Sequence, residues 1–174
     1  MPSSFSTNLV QTLDSFQVHS WFIQRSFMFR LNLIHNRMKA ILISIKPKYA
    51  AQIYAGTKKF ELRKRVPNIN PGTILLIYES YPTMRVTGFA KYRGCLSAHP
   101  WTIWYNFKER LGIDYHSFIQ YYKTDRNAHA WVLYHPRRWE CAPQLTDLGL
   151  SRPPQSYQFI DLPTDIMEQI ETNI

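Results

Sequence analysis

The sequence predicts an α+β fold, a small, mostly antiparallel β-barrel with helices inserted at two points. Three observations lead there. Five or six short apolar runs are separated by turn signals, the pattern of strands in a small sheet domain. The run from Lys58 to Arg93 carries no helix signal, whereas a doubly wound parallel sheet needs a helix after nearly every strand. The proline and glycine punctuation that opens and closes helices is confined to a few places. At 174 residues the chain holds one domain with its own core and some extra length at the ends.

Residues 1–37 contain no glycine, a single acid (Asp14), and many Ser, Phe and Asn without a period, which predicts a poorly ordered N-terminal extension. A transit peptide shares that composition, and a surface-binding helix would use Trp21, Phe22, Phe27 and Phe29. The folded domain is expected over 38–174. Ile41 to Ile45 reads as a nearly all-apolar strand, and Pro47 opens a helix that runs to Ala55 and stops at Gly56. The charged stretch Gly56 to Arg65, GTKKFELRKR, follows as a second strand. PNINPG from Pro67 is turn chemistry, and Thr73 to Glu79 is a buried strand rich in branched residues. After a turn at Tyr81 and Pro82, a longer strand from Met84 to Arg93 carries Gly88 as a bulge or bend. Pro100 begins a helix ending at Leu111 with Gly112 as its stop, and Asp114 caps another through about Lys123. Ala128 to Tyr134 is a strand, and His135 to Pro154 is irregular apart from one helical turn at Leu145 to Leu148. Ser156 to Ile160 closes the sheet, and a helix from Pro163 to about Glu171 ends the chain.

A net charge of +9 and a pI near 9.7 favour a polyanionic partner, nucleic acid ahead of an anionic membrane surface. Aromatics make up 15% of the residues, more flat surface than a domain of this size must bury, although packing accounts for most of it. Cys95 and Cys141 form no CxxC pair, and the six histidines show no paired-ligand spacing, so no metal, cofactor or disulfide framework is expected. A reducing compartment, the cytoplasm, fits two isolated cysteines. No run of 18 apolar residues exists to span a membrane.

The charged stretch carries the chemistry. Lys58, Lys59, Arg63, Lys64 and Arg65 face one local carboxylate, Glu61, too uneven a balance for self-paired surface charge. As a strand it alternates, placing Lys58 and Lys64 with Phe60 and Leu62 on one face, and Lys59, Glu61, Arg63 and Arg65 on the other. Lys58 is then the cation on the core-facing parity, a phosphate or base contact, or a catalytic lysine if a cleft desolvates it. Glu61 is an orienting ion-pair partner or a general base. Arg63 forks onto a phosphate or stacks on a base, and Lys59, Lys64 and Arg65 contact the backbone of a bound strand. Glu79 and Ser80 end a strand expected to lie beside the charged one, which offers a second carboxylate and a phosphate contact at the same mouth. His99, Trp101 and Trp104 open the inserted helix, where one ring is free to stack on a splayed base while the other packs into the core. Arg137, Arg138 and Trp139 form a second basic and aromatic cluster, and Gln155, Ser156 and Tyr157 lead into the closing strand.

Gly56-x-Lys58-x-x-Glu61-x-Arg63, following a strand and a short helix, resembles the motif of the ASCH domain family, a branch of the PUA-like superfamily. ISIKPKYAAQIYAG before it, ILLIYES and VTGFAKYRG after it, and PPQSYQF near the end extend the resemblance over 38–160. It implies a PUA-like barrel with a cleft beside the motif and a role in binding RNA or a nucleotide. Some members of the family are enzymes, amidohydrolases on acylated cytidine or ribonucleases. In the amidohydrolase type, the resemblance implies a motif lysine, a threonine three residues later and a distant glutamate. Lys58 matches the lysine, but Glu61 stands in the threonine's place, so that triad is not carried over. The expectation is an RNA- or nucleotide-binding module, with DNA as a further partner. The alternative is a hydrolase in which Lys58 works with Glu61 or Glu79.

Overall fold

The computed structural model describes residues 38–172; the expected N-terminal extension lies outside the described residues. Six strands form one sheet: β1 (Lys39–Ile45), β2 (Phe60–Arg63), β3 (Ile74–Glu79), β4 (Arg85–Ala98), β5 (Ala128–Arg138) and β6 (Tyr157–Asp161). Four helices accompany them: α1 (Pro47–Tyr54), α2 (Pro100–Leu111), α3 (Tyr115–Tyr121) and α4 (Thr164–Glu171), with a 3-10 turn at Leu145–Leu148. The strand order is β2-β5-β4-β3-β1-β6, antiparallel throughout except where β1 runs parallel to β3 across α1. No helix among the described residues is long and apolar enough to cross a membrane.

The expected barrel is not closed. Pairing leaves β2 and β6 as the two ends of an open, mixed sheet. Both end strands are short, of four and five residues, and prolines stand near them: Pro67 lies past the end of β2, and Pro153 with Pro154 before the start of β6, which limits how far either ladder can run. The two ends are instead linked through a side chain, the guanidinium of Arg63, described below.

Alternation along the strands builds two cores on opposite faces. Ile41, Ile43, Ile45, Leu75, Ile77, Trp131 and Leu133 pack under Ala50 and Ile53 of α1. Phe60, Leu62, Ala128 and Ala130 face Ile103 and Leu111 of α2 and Phe118 of α3. Ala128 and Ala130 are small, which lets the two helices settle close to the sheet. Both long strands run beyond their predicted ends. β4 continues from Arg93 to Ala98 and β5 from Tyr134 to Arg138, each with a register shift, near Tyr92/Gly94 and Phe89/Lys91. The outer half of β5 tolerates Pro136 because β2 pairs with β5 only as far as Val132 and leaves that edge open. Gly88 sits where β5 comes closest: a Cβ there would meet the Arg137 carbonyl oxygen at 2.1 Å. β3 shifts register against β4 at that point, where Ile77 pairs Gly88 and Tyr78 pairs Val86, leaving Thr87 in a bulge.

Candidate functional site

The charged stretch forms a shorter strand than its sequence predicts, and this changes which side chains share a face. Only Phe60 to Arg63 pair, and all four are buried. Lys58 lies before the strand begins, so the period of two does not reach it. Its Nζ is 3.9 Å from Glu61, and it joins Glu61 and Arg63 instead of Phe60 and Leu62. Lys58 is 3% exposed. Its Nζ donates to the Leu111 carbonyl at 2.5 Å, while the Lys59 N–H donates to Arg110 O, so the end of α2 holds the motif by two bonds. Gly112 makes this approach achievable. It caps α2 with φ +64°, and a Cβ there would stand 3.0 Å from Lys58 Cβ and 2.2 Å from Gln52 Oε1.

Arg63 is held from three sides. Its Nη2 lies 3.1 Å from Glu61 Oε1 and donates to Ser44 O at 2.7 Å, while Nη1 donates to Ser156 O and Oγ at 3.2 and 3.0 Å. One guanidinium thus ties β2 to β1 and to the residue before β6. Its Nε is buried without a hydrogen-bond partner among the described residues. Tyr121 and Tyr122 donate to Leu62 O and Arg63 O at 3.5 and 3.1 Å, which pins α3 along β2.

Lys58, Glu61, Leu62 and Arg63 form one wall of a cleft of about 460 Å³. Ser44, Ile45 and the first turn of α1 (Lys46, Lys48, Tyr49) make a second wall, and Ile113, His116, Ser117, Gln120 and Tyr121 from α3 and its approach make the third. The volume falls in the range of small-molecule sites. Glu61 is the only acid among lining residues that include Lys46, Lys48, Lys58 and Arg63, so the cleft favours an anionic guest. The Tyr49 ring lies 4.7 Å from Lys48 Nζ and 5.3 Å from Lys58 Nζ. Burial lowers the Lys58 pKa from its usual value; Glu61 pulls it back up, and Arg63 pushes it further down. Burial likewise raises the Tyr121 phenol.

The remaining predicted site residues lie elsewhere. β3 pairs with β1 and β4, not with β2, so the expected neighbourhood of Glu79 and Ser80 with the motif strand does not form. Glu79 is buried, 3.2 Å from Arg138 Nη2, and accepts from Thr83 Oγ1; neither Glu79 nor Ser80 lines the cleft. Arg138 also sits over the Tyr54 ring, and Trp139 is buried, so the second basic cluster braces the fold. Lys64 pairs with Asp125 at 2.7 Å, while Lys59 and Arg65 stay exposed. Trp104 packs against Phe118 and Tyr115, and Trp101 stays exposed outside the cleft. Sequence reasoning missed Lys46, Lys48, Tyr49, His116, Gln120 and Tyr121. The lysines beside Pro47 were a legible sign of a charged helix entry, whereas nothing local marks which face of α3 meets a cleft.

The model of the ASCH domain matches residues 43–142. An ASCH domain-containing ribonuclease of Zymomonas mobilis is 26% identical over 125 residues, 70% of this chain and 84% of that protein. The crystal structure of ASCH from Zymomonas mobilis superposes with a TM-score of 0.67 at 23% identity, covering 79% of this chain and 96% of that one. A variant of the Zymomonas mobilis protein with a serine replaced by alanine gives the same score at 22% identity, over 78% and 96%. These likenesses show an α+β fold shared with ASCH structures.

Proposed function

Given that this chain belongs to the ASCH domain family, we propose that the cleft beside Lys58 binds one nucleotide of single-stranded RNA. The observation that carries the reading is the enclosure of Lys58 and Arg63 in a cleft whose lining holds four cations and one acid. A phosphate would sit toward Lys46 and Lys48 at the first turn of α1, where helix polarity favours negative charge. Tyr49 and Tyr121 offer faces for a base. The ribonuclease name of the Zymomonas mobilis relative supports RNA as the polymer. The cationic ribbon expected from sequence contributes less directly, because Lys58, Arg63 and Lys64 already hold carboxylates. The two free cysteines fit a cytoplasmic setting.

The same cleft supports a second reading, hydrolysis, favoured by the lowered Lys58 pKa. A desolvated lysine gives up its proton more readily than a surface one and so can act as a proton-transfer group, with Glu61 3.9 Å away as its partner. Glu79, turned to Arg138, takes no part in this version.

Fluorescence anisotropy with a labelled short single-stranded RNA tests the binding reading, with duplex DNA and free nucleotides as parallel arms. Lys58→Met is expected to weaken RNA binding about tenfold, the effect of losing one charge-assisted contact. Unchanged affinity in both Lys58→Met and the Lys46→Ala/Lys48→Ala double variant overturns the siting. Incubation with labelled RNA and with acylated cytidine reads hydrolysis: product formed by the native protein and absent in Lys58→Met makes the cleft catalytic.

A further inference from the structure

Of the six aromatic side chains that stand exposed among the described residues, four lie on α2 and α3: Trp101, Tyr105, Tyr115 and Tyr121. Singly scattered exposed rings are ordinary; a group on two adjoining helices is a patch. Trp101 is 54% and Tyr105 71% exposed. They stand one helical turn apart, their rings 6.4 Å from centre to centre and inclined by 34°. Neither serves the core, because Trp104 does so from the same helix, packed between Tyr115 and Phe118. Tyr115 leans edge-on against Trp104 at 5.1 Å, so its position is set before any partner arrives.

The α3 part of this group reaches the cleft. Tyr115 precedes His116, which lines the cavity, and Tyr121 at the other end of α3 both lines it and remains exposed. Lys108 and Arg110 stand exposed in the last turn of α2 against one exposed acid, Glu109. Flat rings on a helix that carries cations, next in the chain to the helix that walls an anion-favouring cleft, suit unstacked bases on a phosphate chain better than an apolar protein face.

We propose that Trp101 and Tyr105, with Tyr115, form a stacking platform for bases that flank the nucleotide held in the cleft, so that the protein grips a single RNA strand over several nucleotides. This rests on the reading of the cleft as an RNA-nucleotide site. The platform reads no base identity, since every base offers a π-face. It discriminates by strandedness, because paired bases cannot turn their faces outward.

The test compares labelled single-stranded RNAs of about two and about eight nucleotides, lengths below and within the span of a typical single-strand site, on the full chain. In the native protein the longer probe binds more tightly and quenches tryptophan fluorescence. Trp101→Ala/Tyr105→Ala is expected to weaken the longer probe about tenfold and leave the shorter one unchanged, while Trp101→Phe keeps most of the gain. Lys58→Met weakens both probes. Longer-probe affinity within about twofold of native in the double alanine variant, against the tenfold expected of a stacking platform, overturns the platform, whatever Lys58→Met does. A length-dependent loss in the alanine variant with no effect of Lys58→Met keeps the rings as an RNA contact and overturns the cleft reading instead. Sedimentation of the same proteins is the third arm: self-association abolished by the alanines, with RNA binding intact, makes this face a contact between copies and ends the proposal.

Discussion

Lys58 shows how far a buried side chain departs from its sequence. In the sequence it is one of five cations; in the fold its amine lies against a helix-end carbonyl and a carboxylate, 3% exposed. Because the fold lowers its pKa, the charged form is less comfortable in the folded protein than in the unfolded chain. Below the lowered value both states hold the proton and the full cost is present. As pH climbs from there toward the ordinary value of 10.5, the unfolded chain keeps a proton that the fold releases, so stability rises. Urea unfolding of native and Lys58→Met proteins across a pH series should show the native protein gaining on the variant over that window, and parallel curves would contradict a desolvated Lys58. Gly112→Ala tests the same pocket from behind. Its Cβ would press on Gln52 and on the Lys58 stem at a left-handed backbone position, so about 1–3 kcal/mol of stability should go, together with RNA affinity. Arg63 was the harder residue to foresee. Its acceptors, Ser44 O and Ser156 O, are 19 and 93 residues away in the chain, and no local pattern encodes them.

At the scale of the element, helix ends were legible because each has a local cause. Pro47 and Pro100 supply fixed φ at first turns, Asp114 accepts from the Ser117 N–H at 2.8 Å, and Gly112 takes the left-handed cap. Strand ends were not legible to the same degree. β4 and β5 continue through Arg93, Ser97, His135 and Pro136, where bulges break the alternation that marks a strand. The face assigned to Lys58 failed for a related reason: a parity counted from Phe60 holds only inside the pairing, and pairing starts at Phe60 itself. Gly88, read as a bulge or bend, lies beside one and under the β5 backbone. Gly88→Ala should cost about 2 kcal/mol or more by driving β4 from β5, with a thermal melt as the check; an unshifted melt would mean that β5 yields freely there.

Across the whole molecule, the family resemblance and the α+β class could be read from the motif and its neighbours, whereas sheet closure could not. Whether end strands pair depends on backbone donors brought together by the entire coil of the sheet, and here a guanidinium spans the ends. Arg63→Ala removes that link and leaves Glu61 and two carbonyls without their donor, so unfolding should be easier by about 3–5 kcal/mol in urea titrations. A change under about 1 kcal/mol would show that the ends hold together without it. If the protein binds RNA as proposed, the overall charge of +9 would add a kinetic and salt-dependent component to that association. If Lys46 and Lys48 each neutralise a phosphate, the slope of log affinity against log salt should flatten by about 1.4 in Lys46→Ala/Lys48→Ala, and an identical slope would remove them from the contact.

The third wall of the cleft comes from the excursion between β4 and β5, whereas the other two come from the first half of the sheet and α1. Pocket shape is therefore modular only in part: the α3 side chains that face the cavity can change, whereas the end of α2 must keep its place, because the Leu111 and Arg110 carbonyls hold Lys58 and Lys59. Relatives that keep that helix end and vary the face of the next helix would inherit the charged floor and acquire a new selectivity filter above it.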